Sequence, residues 1–180
     1  MKTEPIGTLG GEQPLAAMDE ALAEDTGAGS FQVRIRTAGV EILADEPISA
    51  GGLGTGPSPY QLLASALASC TTMTLRLYAT RNGWSATRIR TAVGHQRREG
   101  ILPADLFTRR ISIDGDLDAS QRGRLMEVAD RCPVHRTLSA GAAIETMAGV
   151  ARPPAQRASD HEANMEALIA VGRGSFDFTS

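Results

Sequence analysis

Two cysteines, Cys70 and Cys132, are the residues of this chain best suited to redox or nucleophilic chemistry. They lie 62 positions apart, and no Cys-x-x-Cys spacing occurs, so the sequence has neither a thioredoxin motif nor a zinc ribbon. A cysteine thiolate can attack a peroxide or a disulfide, and the pKa of the thiol controls that reactivity. The alternative is that both are unrelated buried residues, because free cysteine packs like a small hydrophobe.

Cys70 lies about ten residues into an uncharged segment, PSPYQLLASALASCTTMTL, which predicts one long helix. The helix dipole acts only near the first turn, so it does not lower the pKa of this thiol, and burial would raise it. Arg76 points about 120° away on an ideal helix, and Arg81 lies about 16 Å along the axis. A cation that activates Cys70 would therefore come from a strand or from another subunit.

Cys132 has a different setting, because it directly precedes Pro133 and proline favours the first position of a helix. The sequence predicts that Cys132 lies beside the free N–H groups of a helix N-terminus, where the local field favours a thiolate. His135 follows three positions later. Cys70, Cys132 and His135 would supply three metal ligands, but no fourth ligand lies near them in the sequence, so no metal site is predicted.

The helix that carries Cys70 is predicted to begin after Pro59 and to end at Asn82-Gly83. It is apolar nearly all round, which is typical of a central, buried helix. Its spacing predicts one inward stripe, which comprises Leu63, Leu67, Cys70, Thr74 and Leu77.

The remaining elements are predicted from periodicity and turn residues. Alternating apolar and polar residues over 31–47 predict a β-hairpin that turns at Thr37-Ala38-Gly39. After the long helix we expect strands at 85–98 and 105–117, a helix at 118–131 capped by Asp118 or Ser120, a helix at 132–141 and a last strand at 142–150. In the helix at 118–131 the predicted inward residues are Leu125, Val128 and Ala129. Strands that come in consecutive pairs favour an antiparallel sheet with helices on one side, an α+β fold.

The chain divides into three parts on this basis. Residues 1–29 are predicted to be an N-terminal extension with a helical pattern over 14–25, and residues 30–150 form the domain. The glycine-rich segment 49–59 is predicted to be a flexible loop that leads into the long helix. Residues 151–180 are predicted to be a C-terminal tail with a small helix in DHEANMEALIAV.

Composition favours a globular protein without nucleic-acid or membrane partners. The net charge is −3 and the pI about 5.6, so no basic excess points to nucleic acid or to an anionic membrane. No apolar run approaches the roughly 18 residues that span a bilayer, and the first residues show no signal-peptide pattern. We therefore expect a cytoplasmic protein, in which two cysteines are free, metal-bound or redox-active rather than joined in a structural disulfide.

The segments GTGPSPYQLLASALASC and ADRCPVHRTLS resemble the two cysteine motifs of the OsmC/Ohr family of organic hydroperoxide reductases. The resemblance covers roughly residues 30–150 and agrees with the predicted order of elements. It implies an OsmC-like α+β fold, in which an antiparallel sheet accompanies a long central helix. It also implies an intertwined homodimer with two active sites at the interface.

The resemblance further implies a function in the oxidative stress response, the thiol-dependent reduction of organic hydroperoxides. Cys70 would attack the peroxide and become a sulfenic acid, and Cys132 would condense with it into a disulfide. An external dithiol, of lipoyl type or another kind, would reduce that disulfide. No bound cofactor is implied.

The sequence departs from the family pattern ten positions before the first cysteine. Well-studied members carry a glutamate there, which hydrogen-bonds an arginine that holds the thiolate. This chain has Tyr60, which forms no ion pair at neutral pH, followed by the uncharged Gln61. The family arginine comes from the first hairpin, where the candidates are Arg34 and Arg36, although both also fit a solvated strand face. The departures indicate a divergent OsmC-like branch.

Other functions remain open from the residues alone. The chain would be a non-catalytic small-molecule-binding protein if it kept the apolar pocket without the glutamate–arginine pair. It would be a thiol redox sensor if the cysteines cycled without turnover. A thioesterase-like hydrolase needs a base beside Cys70, and His135 is the candidate, although it also fits a surface position on the first turn of a short helix.

Overall fold

The structure is a computed structural model that describes residues 20–151. A three-stranded antiparallel sheet leads into a long helix, which a two-stranded antiparallel sheet and two shorter helices follow. The elements are β1 (Ala21–Asp25), β2 (Val33–Thr37), β3 (Val40–Ala44), α1 (Pro59–Arg81), β4 (Ser85–Arg97), β5 (Asp105–Asp116), α2 (Ala119–Ala129) and α3 (Pro133–Ala140). The predicted α+β class with antiparallel pairing is confirmed.

The first sheet confirms the predicted hairpin and corrects the helix predicted before it. Ala38 and Gly39 both have positive φ, which is the turn that joins tightly paired strands β2 and β3. The helix predicted over 14–25 is wrong at Ala21–Asp25, which pairs antiparallel with β2; residues 14–19 lie outside the described part. The open edge of β2 supplies backbone hydrogen bonds, and this pairing overrides the local helical pattern.

Helix α1 begins and ends within one residue of the predicted bounds, because it includes Pro59 and its last residue is Arg81. The Ser58 hydroxyl accepts the backbone N–H of Gln61 while the Gln61 side chain accepts that of Ser58, which forms a capping box ahead of Pro59. The helix ends at Asn82, and Gly83 follows with φ +65°.

The predicted inward stripe of α1 is only partly correct. Leu67, Cys70 and Thr74 are buried, but Leu63 is 42% exposed. The buried face continues instead through Thr71, Leu75 and Ala79. The opposite face, which includes Met73, is exposed in the single chain, so α1 is not buried all round.

Two packed clusters cover the inward face of α1. The first joins α1 to α2 and to the β4–β5 sheet, and its buried members are Leu75, Ala79, Ala86, Ile89, Leu117, Leu125, Val128 and Ala129. The three residues of α2 that the sequence predicts to face inward are among them, and the α2 cap is Asp118 rather than Ser120. The second cluster contains both cysteines and is described below.

The segment between β3 and α1 is organised around one buried carboxylate and is not simply a flexible loop. Asp45 accepts hydrogen bonds from the backbone N–H groups of Glu46, Leu53 and Thr55 and from the Thr55 hydroxyl. Burial alone would raise the pKa of Asp45, but these hydrogen bonds together outweigh it and lower the pKa. A β-carbon on Gly52 would lie 1.9 Å from the Glu46 carbonyl oxygen, so this turn requires glycine.

The last strand, predicted at 142–150, is not formed. This segment has no regular structure, and Ile144, Met147 and Val150 are each more than four-fifths exposed. A strand needs a partner for its backbone hydrogen bonds, and no described strand pairs with this segment. The predicted tail helix lies outside residues 20–151. Within the described range, no helix is both long and apolar enough to cross a bilayer.

Candidate active site

The two cysteines meet in the second cluster. Their Sγ atoms lie 2.8 Å apart, and both residues are buried free thiols, Cys70 at 2% and Cys132 at 0% exposure. Cys70 faces inward from the middle of α1, and Cys132 is the residue that caps the N-terminus of α3. The pairing of the only two cysteines of the chain makes this contact the candidate active site.

Backbone N–H groups at the start of α3 point at the sulfurs. The Cys132 Sγ accepts the N–H of His135 at 3.4 Å, as expected for a residue that caps a helix. The Val134 N–H lowers the pKa of both thiols. Cys132 therefore lies beside the N–H groups of a helix N-terminus, as its position before Pro133 predicts.

Apolar side chains close the rest of the site. Leu67 is buried beside the cysteines, and four partly buried residues pack against them, namely Val93, Phe107, Val134 and Leu138. An open groove of about 430 Å³ lies next to this wall, lined by Pro57, Gln61, Ala64, Ser65, Ala68 and Val93. Val93 belongs to both sets, so it lines the groove and also packs against the cluster that contains the sulfurs.

The environments of the two thiols shift their pKa values in opposite directions. The hydrogen-bonding contact with Cys70 lowers the pKa of Cys132, against burial, with further help from the His135 N–H, the Thr71 hydroxyl and the Val134 N–H. Hydrogen bonding to Cys132 and burial raise the pKa of Cys70. Two thiolates at this distance would repel each other strongly, so the pair retains at least one proton at neutral pH.

Arg109 is a residue of the site that sequence reasoning missed. It reaches from β5 to α1, where its Nη1 donates to the Thr71 Oγ1 at 3.0 Å, and to the end of α2, where it donates to the Ala129 carbonyl at 2.9 Å. Its Nη2 forms an ion pair of 2.6 Å with Asp130. The Thr71 hydroxyl in turn donates to the Cys132 Sγ at 3.8 Å. A sequence signal existed, because the alternation of β5 places this arginine on the inward face with Phe107 and Ile111.

The arginines predicted from the first hairpin make their contacts elsewhere in the single chain. Arg34 forms an ion pair with Glu41 at 3.0 Å. Arg36 pairs with Glu24 at 2.5 Å and with Glu41 at 3.1 Å. Both side chains are partly exposed on the three-stranded sheet, which matches the solvated-face interpretation. Among the described residues, neither arginine has a hydrogen bond or ion pair with a cysteine.

The two residues in place of the family glutamate also lie away from the sulfurs. Gln61 serves the α1 cap. The Tyr60 ring stacks on His95 with centroids 4.1 Å apart, and the His95 Nε2 lies 2.9 Å from the Asp105 Oδ1. His95 also contacts Phe107, a wall of the cysteine cluster, so Tyr60 reaches the site only through two other rings.

His135 contributes its backbone rather than its ring. The imidazole Nδ1 lies 4.0 Å from the Asp130 Oδ1, on the side of the turn that carries that carboxylate. In the part of the chain that the structure describes, no group of three or more His, Cys, Asp or Glu side chains is arranged to hold a metal ion.

The structure is an α+β fold in which a long helix and antiparallel strands bring two buried cysteines into contact. The family model for OsmC-like proteins matches residues 52–147, more than half of the chain. The chain belongs to the OsmC-like family, as its cysteine motifs predict. A search of curated proteins found no match.

Solved structures show the same fold at low sequence identity. An OsmC-like protein from Mycoplasma pneumoniae is 20% identical with a TM-score of 0.54, and the match covers 69% of this chain and 89% of that one. An organic hydroperoxide resistance protein OsmC from Legionella pneumophila is 18% identical with a TM-score of 0.54, covering 70% and 91%. An organic hydroperoxide resistance protein from Elizabethkingia anophelis is 16% identical with a TM-score of 0.53, covering 69% and 91%. These values are consistent with a divergent branch.

The sulfur contact generates the first prediction. A mild thiol oxidant such as diamide should join Cys70 and Cys132 within one chain, because the sulfurs need to approach by less than 1 Å to reach a bond of about 2.05 Å. Peptide mapping by mass spectrometry should find the crosslinked pair, and Cys132→Ser should abolish it. Crosslinks only between chains, or two unmodified thiols after oxidation, would contradict this geometry.

Proposed function

We propose that this protein reduces organic hydroperoxides with two cysteines and an external dithiol. The observation that carries the proposal is the pair of sulfurs 2.8 Å apart in an apolar, buried cluster. Membership of the OsmC-like family supports it, and so does the fold shared with proteins described as organic hydroperoxide resistance proteins.

The proposed cycle uses the thiols in sequence. The Cys70 sulfur attacks one peroxide oxygen, the O–O bond breaks, and an alcohol leaves while Cys70 becomes a sulfenic acid. The Cys132 sulfur then attacks the sulfenic sulfur, water leaves and a disulfide forms. A dithiol of lipoyl type or another kind restores both thiols by exchange and is itself oxidised. The cycle needs a reducing compartment such as the cytoplasm to supply that dithiol.

The surroundings of the sulfurs favour an alkyl hydroperoxide over hydrogen peroxide. The groove beside Val93 has small and apolar lining residues, such as Ala64 and Ala68, which offer an alkyl group a surface to bury. Hydrogen peroxide has no apolar part and gains nothing from that surface. The second sulfur lies within contact distance, so a sulfenic acid on Cys70 would be captured before a second peroxide oxidises it further.

A non-catalytic binding protein is the alternative that one observation favours. Arg34 and Arg36 are both occupied by glutamates on the first sheet, and Tyr60 replaces the family glutamate, so the usual activating pair is absent from Cys70 in the single chain. The hydrolase alternative has less support, because the His135 ring contacts Asp130 and the hydrogen bond from His135 to a cysteine comes from its backbone N–H and goes to Cys132.

The partner of the exposed apolar surface is proposed to be a second copy of the chain, as the family resemblance implies. Leu63 and Met73 on α1 and Ile144, Met147 and Val150 after α3 are exposed in the single chain, and a second copy would allow such apolar side chains to be buried. Light scattering at micromolar concentration should therefore give the mass of a homodimer. A monomer mass that persists at higher concentration would contradict the proposal.

The activity itself gives the next prediction. The purified protein should consume cumene hydroperoxide with a dithiol, and faster than it consumes hydrogen peroxide. Loss of the charged glutamate–arginine network removes about 1.5–3 kcal/mol, so we expect a rate roughly tenfold to a hundredfold below that of members with the full pair. A colorimetric assay of peroxide loss in the presence of dithiol measures the rate with cumene hydroperoxide and its ratio to the rate with hydrogen peroxide.

Variants of the pair sharpen this test. Cys70→Ser should abolish turnover, whereas Cys132→Ser should allow one oxidation and then stop. Ser69→Ala, an exposed neighbour on α1, is the matched control and should keep the wild-type rate. Absence of dithiol-dependent peroxide loss in a folded wild-type protein would refute the enzyme and leave the binding protein as the function.

A further inference from the structure

Arg109 on β5 joins the turn that carries Cys132 to the long helix α1. Its side chain is only 13% exposed, although arginines are mostly found at the surface. One nitrogen, Nη1, donates to the Thr71 hydroxyl on α1 at 3.0 Å and to the Ala129 carbonyl at 2.9 Å. The other nitrogen, Nη2, pairs with the Asp130 carboxylate at 2.6 Å. One rigid, planar group therefore contacts both sides of the cysteine pair.

The groups that accept hydrogen bonds from Arg109 lie directly beside the two cysteines. The Ala129 carbonyl also accepts the backbone N–H of Cys132 at 3.4 Å, so the arginine holds the group that closes the turn. Thr71 directly follows Cys70 on α1, and its hydroxyl lies 3.8 Å from the Cys132 Sγ. A displacement of the turn from α1 would therefore separate the two sulfurs, which now lie 2.8 Å apart.

The local contacts of the turn do not fix it against other elements. The backbone N–H groups of Asp130, Arg131 and Cys132 donate to carbonyls three residues earlier, within the same segment of chain. Beyond the turn, helix α3 has no buried residue and reaches the cysteines through two partly buried side chains, Val134 and Leu138. The arginine adds the polar contacts that join this turn to β5.

We propose that Arg109 is a positioning residue, which holds the Cys132 turn against α1 so that the two thiols are placed to form a disulfide. It acts through the Ala129 carbonyl, the Asp130 carboxylate and the Thr71 hydroxyl. Two groups held in contact react with a high effective concentration, because the entropy of bringing them together has already been lost on folding. The consequence for turnover rests on the proposed function: a positioned second thiol reaches the sulfenic acid before a second peroxide does.

The test is a redox equilibrium that needs no peroxide. The protein is equilibrated with oxidised and reduced glutathione, quenched with acid, unfolded and alkylated, and mass spectrometry measures the dithiol and the disulfide. In this exchange Cys70 and Cys132 lose two electrons and two protons and form a disulfide, while one oxidised glutathione becomes two reduced glutathione molecules. The equilibrium constant has the units of a concentration and measures the effective concentration of the two thiols.

Arg109→Gln should lower this constant about tenfold, the change expected when one hydrogen bond of a charged group no longer restrains the turn. Arg110→Gln removes the same charge from the neighbouring, exposed position of β5 and should leave the constant unchanged. Ile89→Val is the control for stability, because it weakens the first cluster without touching the turn. It should lower the melting temperature and leave the constant unchanged.

The direction of the change separates an effect of position from an effect of charge. A cation that acted mainly by stabilising a thiolate would favour the reduced pair, so its removal would raise the disulfide constant. Loss of positioning lowers it. Thr71→Val removes the acceptor on α1 and should lower the constant as well, whereas Thr71→Ser retains the hydroxyl and should keep the wild-type value.

An unchanged or raised constant in a folded Arg109→Gln variant would overturn the proposal, and so would a fall of equal size in Ile89→Val. If circular dichroism shows that Arg109→Gln does not fold, the two variants of Thr71 decide, and equal constants for valine and serine overturn the proposal. Because glutathione takes the place of peroxide, a failure here leaves the proposed peroxidase standing. A protein without peroxidase activity can still show the predicted fall.

Discussion

The contact between the sulfurs of Cys70 and Cys132 is the interaction on which the rest of the site depends. At 2.8 Å and almost without exposure to water, the two sulfurs cannot both ionise, and the surroundings decide which of them loses its proton more easily. The fold brings them together by packing α2 against α1, which sets the turn at 130–132 beside the middle of the long helix. The apolar side chains around the sulfurs and the N-terminus of α3 then act on a cysteine pair that is buried away from water.

Much of this arrangement could be predicted from the sequence, because its signals are local. Ser58, Pro59 and Gln61 mark the start of α1, and Cys132 before Pro133 marks the start of α3. The alternation of β5, and of β4 after the irregularity between Ala86 and Arg88, likewise needs no knowledge of the partner. The two cysteine motifs indicated the family, and the family resemblance predicted that two cysteines 62 positions apart would lie close together.

The features that could not be predicted depend on distant parts of the chain. Strand β1 exists because β2 offers it an edge, and the segment after β3 is ordered by the carboxylate of Asp45 reaching Leu53 and Thr55. The strand predicted at 142–150 lacks a partner among the described residues. In the sequence Arg109 is an ordinary strand arginine, because its acceptors are distant in the chain, namely Thr71 on α1, Ala129 at the end of α2 and Asp130 just after it.

The most direct test of the two-cysteine unit is a single-turnover stoichiometry without reductant. The fully reduced protein receives one equivalent of cumene hydroperoxide, and free thiols and the product alcohol are counted after the reaction. Two thiols should disappear for each alcohol formed, because both sulfurs of one chain take up the oxidising equivalent as a disulfide. Loss of one thiol per peroxide, or peroxide that remains beside two intact thiols, would contradict a site in which Cys70 and Cys132 act together.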